Sequence, residues 1–427
     1  MTAGFPGAAG SGLVDLIARR RPRWLHTAWC SATGALGLLL ALAGTAGGQN
    51  RFTVLEEPST TAVGLAVVVA TGGAVEAESE AGATHLAAQA LLEGIRSQLE
   101  SLGGHASVEC SRSTIRFTLL LPARTWRVAT DLLLDQLFRR REVNDAALER
   151  ARARVLRALR LDEGNPAHEA RIALATARFG TDSQWARAPC GRAETVAQLG
   201  LAEIREAARK RFVPSRATAA VVGPVEAEAA RDVLRRALGD SGPPRLPDGP
   251  RARPAAAPRF VEKKTITTWV GLAFPLPEEP DTEALELLAC YLREATRPSP
   301  ARPDVHAVEI DLERDGGGGA LVVYLVTEPD QAGRRASELR SLVRRLARDE
   351  LSETEFESLV RRCRGARLLA LAAPEARARD AALQLCFDRE YRPPAAEIDA
   401  LAAERLRRAA ASLPEPTVVT VGPSRAP

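Results

Sequence analysis

The sequence predicts an α+β protein made of two homologous halves. Two apolar strands that end in Gly-Pro are the first sign: residues 219–224 read AAVVGP and residues 418–423 read VVTVGP. A proline-rich run from Asp240 to Arg259 separates the halves, and such a density of proline excludes a helix or a central strand. Strands interleaved with long amphipathic helices, in hairpin-like order, favour a mostly antiparallel sheet with helices packed on one face in each half.

A longer order of elements repeats around these strands. In each half, a strand is followed by a helix, a capped helix, an irregular region, another helix and the Gly-Pro strand, which indicates an internal duplication. The first half has Phe117–Leu121, Trp126–Arg139, Ala146–Leu161 after the cap Asn144-Asp145, and Thr195–Phe212. The second half has Leu321–Val326, Asp330–Arg348, Thr354–Leu371 after the cap Ser352-Glu353, and Glu397–Ala411. Further strands are predicted at Phe52–Leu55, Val63–Ala70 and Thr265–Phe274.

Composition and charge are those of an ordinary globular protein. The chain has 427 residues, of which 45% are hydrophobic and 26% charged, so it has room for roughly two to four domain-sized units. The net charge is +4, but four arginines and one aspartate within residues 1–46 supply +3 of it and leave +1 for the rest. A charge this small gives no reason to expect nucleic acid or an anionic membrane surface as a partner.

The N-terminal segment, residues 1–46, has the pattern of a signal peptide. A basic region at Arg19–Arg23 precedes an apolar run at Ala35–Ala43, and small residues follow. This order predicts export from a bacterial cell to the periplasm or beyond. The alternative is an uncleaved membrane anchor over Trp24–Ala46, which would be the protein's only contact with a membrane.

The chain contains six cysteines: Cys30, Cys110, Cys190, Cys290, Cys363 and Cys386. Cys30 would leave with the signal peptide, and the remaining five are odd in number. No C-x-x-C pair occurs. The sequence therefore favours buried free thiols with at most one or two disulfides.

A helical stretch around His85 contains an incomplete metal-binding pattern. Residues 82–89 read GATHLAAQ. In the pattern H-x-x-E-H, the two histidines share one helix face and bind a metal ion, while the glutamate activates a metal-bound water. Here Ala88 stands at the glutamate position and Gln89 at the second histidine position. By itself, His85 would be an ordinary polar residue near a core.

The surrounding sequence resembles a known family. Its landmarks occur in order: the strand Asn50–Glu57 resembles N-G-L-x-V, residues 82–89 fall on G-x-A-H-x-x-E-H, and Asn165-Pro166, Phe179-Gly180, Pro189-Cys190-Gly191 and Glu194-Thr195-Val196 resemble N-P, F-G, P-x-G and E-T-V. On these residues, most of 49–427 is similar to the insulinase/pitrilysin-type zinc metallopeptidases, family M16, in the two-domain form of mitochondrial processing peptidase.

The resemblance implies two domains of the LuxS/MPP-like metallohydrolase type, residues 49–239 and 260–427, joined as a clamshell by the linker 240–259. In active members, both histidines and a distant glutamate bind zinc. That glutamate position falls on Ala158, and His85 is the only ligand that remains beside Gln89 and Ala158. Since catalytic zinc needs about three protein ligands, the resemblance implies no bound zinc, no catalytic residue and a pseudo-peptidase, with Ala88 in place of the base.

Other residues offer no replacement for this chemistry. His105, Glu109 and Cys110 lie nearby in sequence, but Glu109 and Cys110 face opposite sides of any strand. In the second domain, the family's substrate-orienting stretch R-x-x-x-G-L-A-Y has no counterpart. We therefore assign no catalytic role to Arg302 or Tyr324.

The family resemblance also suggests a function. An inactive M16 chain often pairs with an active one around an unfolded peptide, which adds as a strand to an exposed sheet edge. Residues 107–115 would be that edge, with the peptide-binding candidates Ser107, Val108, Glu109 and Cys110. We therefore expect an exported, non-catalytic subunit whose partners are an active M16 homologue and an unfolded peptide.

Two alternatives stay open. One is a scaffold subunit without a protease partner, similar to the core subunits of respiratory complexes that share this fold. The other is a divergent, active zinc metallopeptidase.

Overall fold

Two five-stranded sheets with the same strand order form the framework. The computed structural model describes residues 51–239, 242, 244–250, 258–314, 316, 319–349, 351–387, 390–393 and 402–423. The predicted targeting segment and parts of the linker lie outside these residues. None of the helices within the described ranges is long and apolar enough to cross a membrane.

The described part of the first half begins with an edge strand and ends with an amphipathic helix. Its strands are β1 (Phe52–Glu56), β2 (Ala62–Val69), β3 (His105–Cys110), β4 (Ile115–Pro122) and β5 (Ala217–Gly223). Its helices are α1 (Ala83–Glu93), α2 (Arg96–Ser101), α3 (Trp126–Asp135, continued by a π-turn over Gln136–Arg140), α4 (Asp145–Asp162), α5 (Pro166–Phe179), α6 (Ala193–Gln198), α7 (Leu201–Arg211) and α8 (Ala227–Leu238).

The described part of the second half follows the same plan. Its strands are β6 (Arg259–Glu262), β7 (Thr268–Pro275), β8 (Val305–Glu313), β9 (Ala320–Thr327) and β10 (Thr417–Gly422). Its helices are α9 (Thr282–Thr296), α10 (Ala332–Arg348), α11 (Glu353–Ala370), α12 (Pro374–Phe387) and α13 (Ala403–Ser412).

The strand order confirms the predicted duplication and the mostly antiparallel sheets. The first sheet runs β1-β5-β2-β4-β3 and the second runs β6-β10-β7-β9-β8, which is the same permutation. In each sheet, the first and last strands of the half pair in parallel, with Phe52 opposite Ala219 and Arg259 opposite Val419. All other strand pairs are antiparallel. The Gly-Pro strands β5 and β10 thus lie next to the centre of each sheet.

Each half lends a helix to the other half. One face of each sheet packs against the half's own helices and forms the main core. The opposite face of the first sheet is covered by α12, and that of the second sheet by α5. The sequence predicted an irregular region at both places, and this was wrong, because α5 and α12 are helices. Their apolar faces are matched by a distant sheet rather than by neighbouring elements.

The contact between β2 and α12 is close enough to require glycine. A Cβ atom added to Gly64 would lie 2.3 Å from the carbonyl carbon of Pro374, the first residue of α12. A main chain that approaches this closely leaves no room for a side chain. Gly64 therefore sets the distance between the first sheet and the helix from the second half.

Two other boundaries differ from the prediction. The helix predicted over Thr195–Phe212 is two helices, α6 and α7, because Gly200 begins a new helix whose first turn is capped by Glu203. The helix predicted over Glu397–Ala411 lies partly outside the described residues, and α13 is its described part. The caps predicted for α4 and α11 are confirmed, since Asn144 and Ser352 accept main-chain hydrogen bonds from Ala147 and Glu355.

Candidate functional site

Helix α1 carries the incomplete metal-binding pattern and is buried along its whole length. It packs between α4 and α7 above the first sheet. Gly82, with φ of 96°, begins the helix, and Gly191, with φ of 87°, lies against it. A Cβ on Gly191 would lie 2.5 Å from Cα of Gly82. The two glycines therefore let the loop that contains Cys190 touch the start of α1.

A distant carboxylate caps the N-terminus of α1. The main-chain N–H groups of Gly82 and Thr84 donate to Glu76 at 2.7 and 2.6 Å. Arg211, from the end of α7, lies 3.1 Å from the same carboxylate, and both side chains are buried. Burial raises the pKa of Glu76, while these hydrogen bonds and Arg211 oppose that rise. The sequence analysis missed Glu76, because Glu76 and Arg211 are far apart in the chain.

His85 and Gln89 lie on one face of α1, as the spacing predicts. Nε2 of His85 is 3.3 Å from the Gln89 amide nitrogen, and both side chains are buried. Ala88, at the position of the family's base, is completely buried. Ala158 lies on α4, which packs against α1, and is exposed. The site therefore offers one imidazole, one neutral amide and two methyl groups.

The carboxylate at the end of α1 cannot replace the missing ligands. Glu93 is buried, and Arg96 and Arg154 lie 2.7 and 2.9 Å from its Oε1. Arg150 lies 3.7 Å from its Oε2. Three guanidinium groups around one carboxylate neutralise it and repel a further cation. Glu93 therefore joins α1 to α4 and serves as a structural anchor.

Two cysteines and His85 come together below the start of α1. The thiols of Cys110, the last residue of β3, and Cys190 are hydrogen-bonded to each other, and the His85 imidazole interacts with Cys190. The hydrogen bond with Cys110 lowers the pKa of Cys190, and His85 adds to this effect. The same hydrogen bond raises the pKa of Cys110. The sequence gave no signal for this cluster, since the two cysteines belong to separate elements that only the fold brings together.

Strand β3 is the outer strand of the first sheet in the part of the chain that is described. Ser107 is exposed, whereas Val108, Glu109 and Cys110 are half-buried. The expected edge is shorter than predicted, because residues 111–114 form the turn to β4. Glu109 lies 3.6 Å from Arg379 of α12, so the strand is also tied to the second half.

His105, Glu109 and Cys110 do not converge on a metal ion. His105 and Glu109 are separated by four residues of an extended strand, which is about 13 Å. Cys110 faces the core that also contains α1, and Glu109 points to the opposite face, where α12 lies. Among the residues that the structure describes, no group of three His, Cys, Asp or Glu side chains could hold a metal ion.

The sequence matches one family in both halves. Residues 51–182 match the family described as insulinase (peptidase family M16), and residues 198–363 match the peptidase M16 inactive domain. The chain belongs to the M16 peptidase family. No match was found among curated proteins.

Solved structures share the M16 fold at low sequence identity. A peptidase M16 inactive domain from Pseudomonas fluorescens is 16% identical, with a TM-score of 0.70 over 88% of this chain and 96% of that one. A protease from Helicobacter pylori is 14% identical, with a TM-score of 0.70 over 88% and 98%. A chain of complex III2 from Candida albicans, determined with Inz-5 bound, is 13% identical, with a TM-score of 0.71 over 87% and 93%. Identities this low show the fold alone.

The M16 zinc ion does not fit the groups present around His85. Zinc takes imidazole, thiolate or carboxylate ligands in a tetrahedral arrangement. At the M16 positions only His85 can supply one, since Gln89 is an amide and Ala158 has no donor atom. A buried methyl group at Ala88 cannot accept a proton from a metal-bound water. We therefore derive no catalytic step through zinc.

Arg302 and Tyr324 in the second M16 domain have structural neighbours. Arg302 lies 3.7 Å from Glu338 on α10. Tyr324 is buried in β9, and the guanidinium of Arg171 from α5 lies 5.4 Å from its ring centroid. Burial raises the pKa of Tyr324. Tyr324 thus belongs to the contact between α5 and the second sheet.

Proposed function

We propose that this protein is a non-catalytic M16 homologue that binds unfolded peptide as the partner subunit of a catalytically active M16 chain. The observation that carries the proposal is the set of groups at positions 85, 88 and 89 on the buried helix α1. A single imidazole with an amide and a methyl group lacks both the ligands and the base of a zinc peptidase. The fold around them has kept its sheets and its outer strand β3.

The geometry of β3 supports peptide binding at its outer side. Hydrogen-bonded and non-hydrogen-bonded pairs alternate along an antiparallel ladder. The Ser111 N–H donates to the Thr114 carbonyl at the hairpin end, so the pairs Glu109–Arg116 and Ser107–Thr118 are the next bonded ones. By this alternation, the main-chain groups of Val108 point away from β4. They are available to a peptide that adds as a further strand.

A partner subunit and export are further parts of the proposal. The match of residues 198–363 to the peptidase M16 inactive domain supports a role in an assembly rather than in cleavage. The basic and apolar order within residues 1–46 supports export, with periplasmic or extracellular localisation, and an uncleaved anchor is the alternative. The similarity to a chain of complex III2 favours a second candidate, a scaffold subunit without a protease partner.

Copurification from the native host tests the partner. A tagged chain expressed at its natural level should bring down a second M16 chain with an intact H-x-x-E-H in a stoichiometric amount. Recovery of an assembly without such a chain would favour the scaffold candidate. Stoichiometric zinc in the purified chain, together with chelator-sensitive peptide cleavage, would overturn the proposal in favour of a divergent active peptidase.

A matched pair of substitutions tests the edge strand. Val108→Pro removes the outward N–H group, whereas Val108→Ala shortens the side chain and keeps that group. Fluorescently labelled β-casein, an unfolded polypeptide, serves as the probe in an anisotropy titration. We expect Val108→Pro to weaken binding about tenfold or more and Val108→Ala to change it little, because main-chain hydrogen bonds give such sites their affinity. Equal binding by both variants would contradict the assignment of β3.

A further inference from the structure

Cys110 and Cys190 place two thiols in direct contact at the surface of the first half. Their side chains are hydrogen-bonded to each other, and both residues are only half-buried. Cys110 Sγ also donates to the carbonyl oxygen of Pro189, the residue before Cys190, at 3.2 Å. The sulfur atoms are therefore close together and within reach of a small molecule from solvent.

Hydrogen bonds on both sides of Cys190 hold its loop in place. Arg187 donates to the carbonyl oxygen of Glu76 at 3.0 Å, and the Thr195 hydroxyl donates to the carbonyl oxygen of Ala81 at 2.8 Å. Cys110 is held by the pairing of β3 with β4, opposite Ile115. Because both cysteines lie on constrained main chain, their thiols meet repeatedly rather than by chance encounter of loops.

We propose that Cys110 and Cys190 form a redox-active dithiol that closes to an intramolecular disulfide by exchange with small-molecule disulfides of the glutathione class. This is a modification site that goes beyond the proposed peptide binding. It lies where the incomplete zinc pattern on α1 meets the end of the outer strand β3.

The exchange balances as two successive substitutions at sulfur. One cysteine, as the thiolate, attacks a sulfur of oxidised glutathione, forms a mixed disulfide and releases one glutathione thiolate. The second cysteine loses its proton to solvent and attacks the cysteine sulfur of the mixed disulfide, which releases the second glutathione. Two protein thiols are oxidised to one disulfide, and one glutathione disulfide is reduced to two glutathione thiols.

A second thiol pair in the other half provides an internal comparison. Cys290 on α9 and Cys363 on α11 are also hydrogen-bonded to each other. Both are buried, with 7% and 9% of their surface exposed. Thiol exchange requires access as well as proximity. We therefore expect this pair to react with glutathione disulfide only when the second half opens or unfolds.

Peptide mapping of the native, full-length chain tests the proposal. The reduced protein is incubated with oxidised glutathione, and the remaining thiols are alkylated after unfolding in acid and denaturant. We expect a crosslinked peptide that joins Cys110 to Cys190, while Cys290 and Cys363 are recovered as alkylated thiols. Recovery of Cys110 and Cys190 as alkylated thiols, or with one glutathione on each and no crosslink, would overturn the proposal.

Single substitutions separate the two steps. In Cys110→Ser and in Cys190→Ser, the partner that would resolve the mixed disulfide is missing, so we expect one stable glutathione adduct on the remaining cysteine. Restoring the missing thiol should lower the lifetime of that adduct at least about tenfold. The same lifetime in the wild type and in both variants would show that the two sulfurs do not react with each other. Circular dichroism of each variant confirms that the chain has folded.

Discussion

Arg211 Nη1 lies 3.1 Å from Oε1 of Glu76, and both side chains are buried beneath the first turn of α1. The carboxylate also accepts the N–H groups of Gly82 and Thr84. It therefore satisfies main-chain donors that every helix leaves unpaired at its N-terminus. The helix that carries His85 is thus positioned by an ion pair between a loop and the end of α7.

Removal of Glu76 should destabilise the first half strongly. Glu76→Ala leaves the buried Arg211 without this carboxylate and exposes two helix N–H groups to an apolar surrounding. We expect the free energy of unfolding to fall by about 2–4 kcal/mol in urea denaturation at neutral pH.

The matched control for Glu76 is its neighbour Glu80, which also binds Arg211, at 2.8 Å, but is half exposed. Glu80→Ala should cost about 1 kcal/mol or less, because solvent screens an exposed pair. If the two variants unfold at the same urea concentration, the buried carboxylate does not hold α1 in the way described.

Substitution at Gly64 should disturb the contact between the halves. A Cβ there would lie 2.3 Å from the main chain of Pro374, so Gly64→Ala forces α12 away from the first sheet. We expect a loss of about 1–3 kcal/mol in the free energy of unfolding. Gly365 in α11 is the control, because nothing lies within 4 Å of its added Cβ. Gly365→Ala should stabilise the chain by about 0.5–1 kcal/mol, and a loss of similar size in both variants would contradict the close contact.

Zinc affinity should follow the number of ligands placed around His85. We expect no stoichiometric zinc in the wild type, weak binding in the double variant Ala88→Glu with Gln89→His, and tighter binding when Ala158→Glu is added. A competition titration with a coloured chelator measures the affinity.

The control for the zinc series adds a histidine elsewhere on the surface. Gln98 is exposed on α2, and Gln98→His should not bind zinc more tightly than the wild type. No gain in the triple variant would show that Ala158 does not occupy the place of the family's third ligand.

The second half should lose stability in acid through Asp304. The hydrogen bond from Arg335 lowers the pKa of Asp304 from 3.8 to about 2, with Arg335 Nε at 2.8 Å from the carboxylate. A lowered folded-state pKa stabilises the fold above the unfolded value, and this contribution is lost as the pH falls from about 4 to about 2. Asp304→Asn should therefore flatten the pH dependence of unfolding in that window.

The control for Asp304 is Asp330, an exposed acid at the start of the same helix region. Asp330→Asn should leave the slope between pH 4 and pH 2 close to that of the wild type, since exposed acids contribute little. If Asp304→Asn keeps the wild-type slope as well, its ion pair with Arg335 does not form in solution.

Local signals account for the parts of the fold that were predicted correctly. Asn144 and Ser352 marked the starts of α4 and α11, because their side chains cap the helix ends within the same few residues. The alternation of apolar residues and the Gly-Pro ends marked β5 and β10. Such signals depend on neighbours in the chain and can be read without knowing the fold.

The wrong predictions concern elements whose partners are distant in sequence. The helices α5 and α12 lie in regions predicted to be irregular, and each is covered by the sheet of the other half. The break at Gly200 was hidden by the helical residues on either side. A helix that is stabilised by tertiary packing need not have strong local propensity.

The sequence by itself determined the duplication, the family landmarks and the replacement of the zinc ligands by Gln89 and Ala158, because these are properties of residue identity and order. Only the tertiary structure decided that α5 and α12 cross between the halves, that Glu76 and Arg211 position α1, and that Cys110 touches Cys190. Each of these contacts joins residues far apart in the chain. Packing of a whole sheet against its helices brings them together, and no local pattern records which distant side chain will be the neighbour.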